Sequence, residues 1–173
     1  MVSAPEQADA VITDTPRTVV LVVDDQAEVR GVARRILEGA GLAVIEAADG
    51  RDALLLLGGP APEVGLVVTD LVMADIGGAE VAEVLRVHRP ELPVLCMTGA
   101  ASPRSAATLA RLAIPVIGKP FEPEQFAATV KALLDRGRAG QRSRGRARLS
   151  PPGRADLVGE AVRLQSRRDS AAS

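Results

Sequence analysis

The chain has 173 residues and a formal net charge of −1, enough for one domain with some length to spare. Its two aromatics, Phe121 and Phe126, exclude the stacking platforms that grip single-stranded nucleic acid, and leave the core to Val, Leu, Ile and Ala. One cysteine, Cys96, and one histidine, His88, rule out an internal disulfide and any Cys- or His-rich metal cluster, and a lone thiol fits a reducing compartment.

Residues 1–16 are rich in Ala, Asp, Thr and Pro without apolar period, and read as a disordered lead-in. Their acidic character carries no export signal. No apolar run approaches the roughly 18 residues of a membrane span. The expectation is a cytoplasmic protein with no membrane partner. Residues 18–23, TVVLVV, form an unbroken β-branched run that stops at Asp24-Asp25, which predicts a strand buried on both faces. From Gln26 to Ala40, Val29, Val32, Ala33, Ile36 and Leu37 recur at helical spacing, and Gly41 supplies the stop.

Ala43 to Ala47 is a second strand. Asp49 opens a helix through Leu57, closed by Gly58-Gly59-Pro60. Val64 to Asp70 is a third buried strand that ends on a carboxylate. Gly77-Gly78 precedes a helix from Ala79 to about His88, which Arg89-Pro90 ends. Residues 93–98, PVLCMT, make a fourth strand. Ser102 caps a helix to Leu112 with Pro103 at its first position. Ile114 to Gly118 is a fifth strand, and Pro123 begins a last helix with Phe126, Val130, Leu133 and Leu134 as its stripe.

This is β-α five times over with short connections, which predicts one parallel sheet with helices on both faces. The module spans residues 17–136. Beyond it the composition changes. Residues 136–173 hold ten arginines against three acids, a net of +7, and the preceding 135 residues carry −8. The basic tail, 137–173, reads as mostly disordered, with a short helix at 155–168 through Leu157, Ala161 and Leu164 that is marginal alone.

The strand ends collect the chemistry. Asp24 and Asp25 end the first strand, Asp70 the third and Thr98 the fourth, and Lys119 follows the fifth. In a parallel sheet these ends share one edge, the edge at which ligands bind. Crowded carboxylates repel, and a divalent cation relieves that cost. Oxygen-only ligands favour Mg²⁺, with Mn²⁺ as the alternative, over zinc. A carboxylate oxygen of Asp70 is then a nucleophile for phosphorus. Lys119 would neutralise the transferred group, and Thr98 would donate a hydrogen bond to it.

Four pieces, Val22-Val23-Asp24-Asp25, Thr69-Asp70-Leu71-Val72-Met73, Met97-Thr98-Gly99-Ala100 and Lys119-Pro120-Phe121, match in order and spacing. With them the chain resembles the receiver domain of two-component response regulators, of the chemotaxis-receiver type. The resemblance implies a flavodoxin-like (βα)5 doubly wound sheet in the order 2-1-3-4-5. It implies that Asp70 accepts phosphoryl from a phosphohistidine on a sensor histidine kinase or a histidine phosphotransfer protein. Asp25 would bind Mg²⁺ directly, Asp24 mostly through water, and the backbone carbonyl of Val72 would be a further ligand. The Lys119-Pro120 bond would be cis, and Thr98 with Val116 would form the switch.

Two positions depart from the family pattern. Ala74 stands where Pro is usual, with Asp75 adding a carboxylate near the site. Val116 stands where an aromatic is usual. The resulting expectation is a phosphoacceptor that signals to an unknown downstream protein through a changed surface. It would act as a monomer or a phosphorylation-dependent dimer, and no DNA-binding output pattern follows it. It would be no enzyme beyond its own phosphorylation and dephosphorylation. The alternatives are a degenerate receiver that works as a phosphorylation-independent interaction module, and a tail that binds nucleic acid or acidic partners non-specifically. An aspartate-nucleophile phosphatase fits less well, because Val72 stands two positions after Asp70 where that chemistry wants a second acid.

Overall fold

A computed structural model describes residues 18–59, 64–99, 102–143 and 153–170. The lead-in expected at 1–16 and the tail segment 144–152 lie outside the described residues. The chain alternates β1 (Val19–Val23), α1 (Ala27–Gly39), β2 (Ala43–Ala47), α2 (Gly50–Leu57), β3 (Val64–Asp70), α3 (Gly78–His88), β4 (Val94–Thr98), α4 (Pro103–Arg111), β5 (Val116–Gly118) and α5 (Pro123–Ser143), followed by α6 (Arg154–Ser170). The five strands form one sheet in the order β2-β1-β3-β4-β5, with every pair parallel. The order reverses between β1 and β3, so that crevice is the topological switch point.

The unbroken apolar strands are buried on both faces, as their lack of alternation requires. Leu21, Val23, Val67 and Cys96 pack with α2, α3 and α4 on one face. Val20, Val22, Leu66, Val68, Leu95 and Met97 pack on the other with Ala33 and Leu37 of α1 and Phe126, Val130 and Leu134 of α5. Side chains thus alternate between two cores along each strand. Phe121 and Phe126 stack with ring centroids 4.4 Å apart. Gly41 leaves α1 at a φ of +85°, a conformation that disfavours side chains.

The ends of several elements differ from the sequence reading. β5 starts at Val116 rather than Ile114; Ala113 takes a φ of 52°, and a turn precedes the strand. α5 continues to Ser143, past the expected module end at Arg136. The short helix expected at 155–168 is α6, which docks on α2 and α3. Leu157 and Ala161 are fully buried there, with Val158 and Leu164 packed beside them. Burying a leucine contributes about 1.5–3 kcal/mol, the support a short helix lacks when alone.

Among the described residues, no helix is long and apolar enough to cross a membrane.

Candidate functional site

Register brings the site together. Val23 of β1 pairs with Thr69 of β3, so Asp24 and Asp70 emerge side by side. Asp70 pairs with Met97, and Thr98 pairs with Gly118, so Thr98 and Lys119 follow at the same edge. The backbone amide of Lys119 donates to the Thr98 carbonyl at 2.7 Å, and the Leu71 amide donates to the Met97 carbonyl at 2.9 Å. These bonds extend the ladder just past the strands and fix the height of each functional side chain.

The side chains converge. Each of Asp24, Asp25 and Asp70 offers a carboxylate oxygen, and the three oxygens lie within 4.8 Å of one another. The ammonium of Lys119 stands 2.6 Å from Asp24 Oδ2 and 2.8 Å from Asp70 Oδ1. Asp24 is fully buried and Asp70 is 5% exposed, whereas Asp25 is exposed. When all are ionised, three negative charges face one positive charge. Burial pushes the Asp70 carboxyl above its ordinary pKa, the charge of Asp24 adds to that, and Lys119 only partly opposes it. Burial pulls the Lys119 ammonium down, but its hydrogen bonds to Asp24 and Asp70 outweigh this and hold it above its usual value.

Other contacts seat Asp24. Its Oδ1 accepts from the Gln26 amide at 2.9 Å, and its backbone carbonyl accepts from Arg30 Nη1 at 2.7 Å. The first is a local turn contact rather than a helix cap, since Gln26 itself occupies the cap position of α1. The second was not anticipated. Arg30 sits off the apolar stripe of α1, and only the way α1 leaves β1 aims it back at the strand end.

Thr98 Oγ1 is, among the described residues, a buried side-chain polar atom with no hydrogen-bond partner. Such groups normally find one. The Lys119-Pro120 peptide bond is cis. Val72 is 62% exposed in the loop after β3, and Val116 is 47% exposed at the start of β5. Asp75 does not join the acidic group: its carboxylate accepts from Arg51 Nε of α2 at 3.1 Å. Cys96 lies inside the sheet, where burial and the nearby Asp70 charge push its thiol up to about 12. His88 is partly packed and meets Glu160 of α6.

The response regulator receiver domain family matches residues 20–131. This chain belongs to that family. The match takes in β1 from Val20 on, the other four strands whole and every member of the site. Over 118 residues the receiver is 39% identical to response regulator MprA of Mycolicibacterium vanbaalenii, covering 68% of this chain and 50% of MprA. It is 35% identical over 118 residues to sensor kinase CckA of Brucella abortus, covering 12% of that protein. It is 32% identical over 151 residues to the DNA-binding transcriptional regulator NtrC of Escherichia coli, covering 86% of this chain and 31% of NtrC. The chain thus spans half or less of the length of these curated relatives. Among solved structures, a CheY-like receiver domain from Methanospirillum hungatei superimposes with a TM-score of 0.67 at 25% identity, covering 72% of this chain and 99% of that one. Chemotaxis protein CheY4 of Vibrio cholerae gives a TM-score of 0.60 at 27% identity, covering 68% and 98%.

The fold is therefore the CheY-like flavodoxin fold of two-component receivers. Its acidic group suits Mg²⁺: three hard oxygen donors stand close together, and exposed Asp25 leaves the group open to solvent.

Proposed function

We propose that Asp70 is a phosphoacceptor, taking a phosphoryl group from a phosphohistidine on a sensor histidine kinase or a histidine phosphotransfer protein in the cytoplasm. The observation that carries this reading is the approach of Lys119 to both Asp24 and Asp70 beside a third carboxylate, Asp25. An Asp70 oxygen attacks phosphorus in line with the imidazole nitrogen. The new O–P bond forms as the P–N bond breaks, and the imidazole keeps the electron pair.

Asp24, Asp25, Asp70 and the Val72 carbonyl would hold Mg²⁺, or Mn²⁺ in its place. When bound, the ion supplies positive charge beside the phosphoryl oxygens. Lys119 is already charged and seated within reach of Asp70 Oδ1, so it neutralises the arriving group without moving far. The Thr98 hydroxyl, without a hydrogen-bond partner among the described residues, donates to a phosphoryl oxygen. That contact moves the end of β4, and Val116 on the neighbouring strand provides an exposed apolar reporter without an aromatic ring. Output is a changed protein-binding surface, and turnover is limited to loss of the domain's own phosphoryl group.

Acetyl phosphate with Mg²⁺ tests the proposal. The wild type should gain one acid-stable, base-labile phosphate. Asp70→Asn should gain none, and chelation of the metal should abolish labelling. Equal labelling of Asp70→Asn, or an unlabelled wild type, refutes it.

A further inference from the structure

The loop from Leu71 to Gly77 carries the Val72 carbonyl away from the phosphoacceptor strand. Its two ends are fixed. The Leu71 amide is bonded to β4, the Val81 amide closes the first turn of α3 on the Gly77 carbonyl, and Ile76 is fully buried. A Cβ added at Gly78 would overlap the Asp70 carbonyl, so α3 starts in direct contact with the nucleophile's backbone. Between these anchors, Val72, Ala74 and Asp75 are exposed.

Among the described residues, two side chains reach Asp75 in this exposed stretch from other elements. Arg51 of α2 binds its carboxylate at 3.1 Å, and Gln165 Nε2 of α6 donates to its backbone carbonyl at 2.9 Å. α6 runs up to this point from the far end of α2. Arg154 lies against Gly58 and Gly59, Leu157 and Ala161 are buried in the core beneath α2 and α3, and Glu160 meets His88 at the end of α3. Ninety residues separate Gln165 from Asp75, yet the docked helix delivers the side chain to the loop.

We propose that α6 is an intramolecular brace for the metal-site loop, with Gln165 as a positioning residue that acts through Asp75 on the Val72 carbonyl. This rests on the phosphoacceptor reading above. A 17-residue helix held by a few buried side chains opens more easily than the sheet beneath it. Its docking equilibrium is therefore the element that both the loop and the site bias. Linkage makes the coupling reciprocal: whatever factor α6 adds to Mg²⁺ affinity, Mg²⁺ adds to α6 docking. The brace favours Mg²⁺, because a loop already held in place costs less ordering when its carbonyl is recruited.

Two variants of the full chain test this. Gln165→Met keeps length and helix propensity but deletes the donor. Leu157→Asp places a charge in the buried face and undocks α6. Without metal, the Leu71 and Val81 amides should exchange faster in both variants, with amides of β1 unchanged. In a Mg²⁺ titration followed by amide chemical shifts, Gln165→Met should bind about two- to fivefold more weakly, the worth of one exposed hydrogen bond. Leu157→Asp should lose at least as much. Saturating Mg²⁺ should slow exchange along α6 in the wild type. A Mg²⁺ response equally strong in the wild type and both variants overturns the brace alone. No Mg²⁺ response in the wild type overturns the phosphoacceptor reading and the brace with it, while the metal-free exchange rates still report whether Gln165 holds the loop.

Discussion

Replacing Lys119 by Met removes the ammonium that stands between Asp24 and Asp70 and leaves its aliphatic stem nearly intact. The ammonium lies 2.6 Å from one carboxylate oxygen and 2.8 Å from the other. Removing one partner of a fully buried ion pair costs about 3–5 kcal/mol. Here Asp24 is fully buried, but the lysine side chain keeps 17% of its exposure and Asp70 keeps 7%, so the expected loss is about 2–4 kcal/mol. With a urea m-value of about 1.3 kcal/mol per molar, the unfolding midpoint should fall by about 1.5–3 M.

The pH dependence carries a sign. Burial already raises the Asp70 pKa, and Lys119 is the group that opposes the rise. Without it the folded-state pKa climbs further. A raised carboxyl pKa means that stability is lost as pH rises from the unfolded to the folded value. The deficit of Lys119→Met should therefore be largest near neutral pH and shrink at acidic pH, as Asp70 takes up its proton. Mg²⁺ should shrink it too, by supplying charge in place of the ammonium. Equilibrium urea unfolding at neutral and acidic pH, with and without Mg²⁺, measures all of this. An unchanged midpoint near neutral pH, or a deficit that grows on acidification, would show that Lys119 does not hold the acid pair.

Three further outcomes follow from the same geometry. Asp25→Ala removes an exposed acid, so metal-free stability should change by no more than about 0.5 kcal/mol. The roughly 1.4 kcal/mol that Mg²⁺ adds at ten times its Kd should disappear, as thermal unfolding will show. Gly78→Ala drives a Cβ into the Asp70 carbonyl and should cost about 1–3 kcal/mol while slowing labelling by acetyl phosphate. The matched Gly99→Ala, whose new Cβ meets nothing within 4 Å among the described residues, should do neither. Cys96 is buried, with its thiol pushed up to about 12. A disulfide reagent at about pH 8 should react with it only as fast as the chain opens, and rapid stoichiometric reaction would contradict the packing.

The sequence by itself determined the sheet and the membership of the acidic group. Five apolar runs alternate with helical stripes over short connections, which calls for one parallel sheet with helices on both faces, and the motifs' resemblance to receiver domains added the strand order. Every motif residue stood at a strand end, and parallel strands put their carboxyl ends on one edge, so Asp24, Asp25, Asp70, Thr98 and Lys119 share that edge. Local pattern was enough because the register of neighbouring strands does the rest.

The tertiary structure alone decided what surrounds that group. Asp75 reads in the chain as a carboxylate near the site, yet its partner is Arg51 of α2 and it stays outside the acidic group. Arg30 reaches back to the Asp24 carbonyl, and Gln165 reaches Asp75 across ninety residues. α6 reads in the chain as a helix too short to be stable alone. It is held because α2 and α3 leave a face that Leu157 and Ala161 complete. Such contacts depend on where side chains of distant elements point after packing, and no periodicity within either segment records the partner.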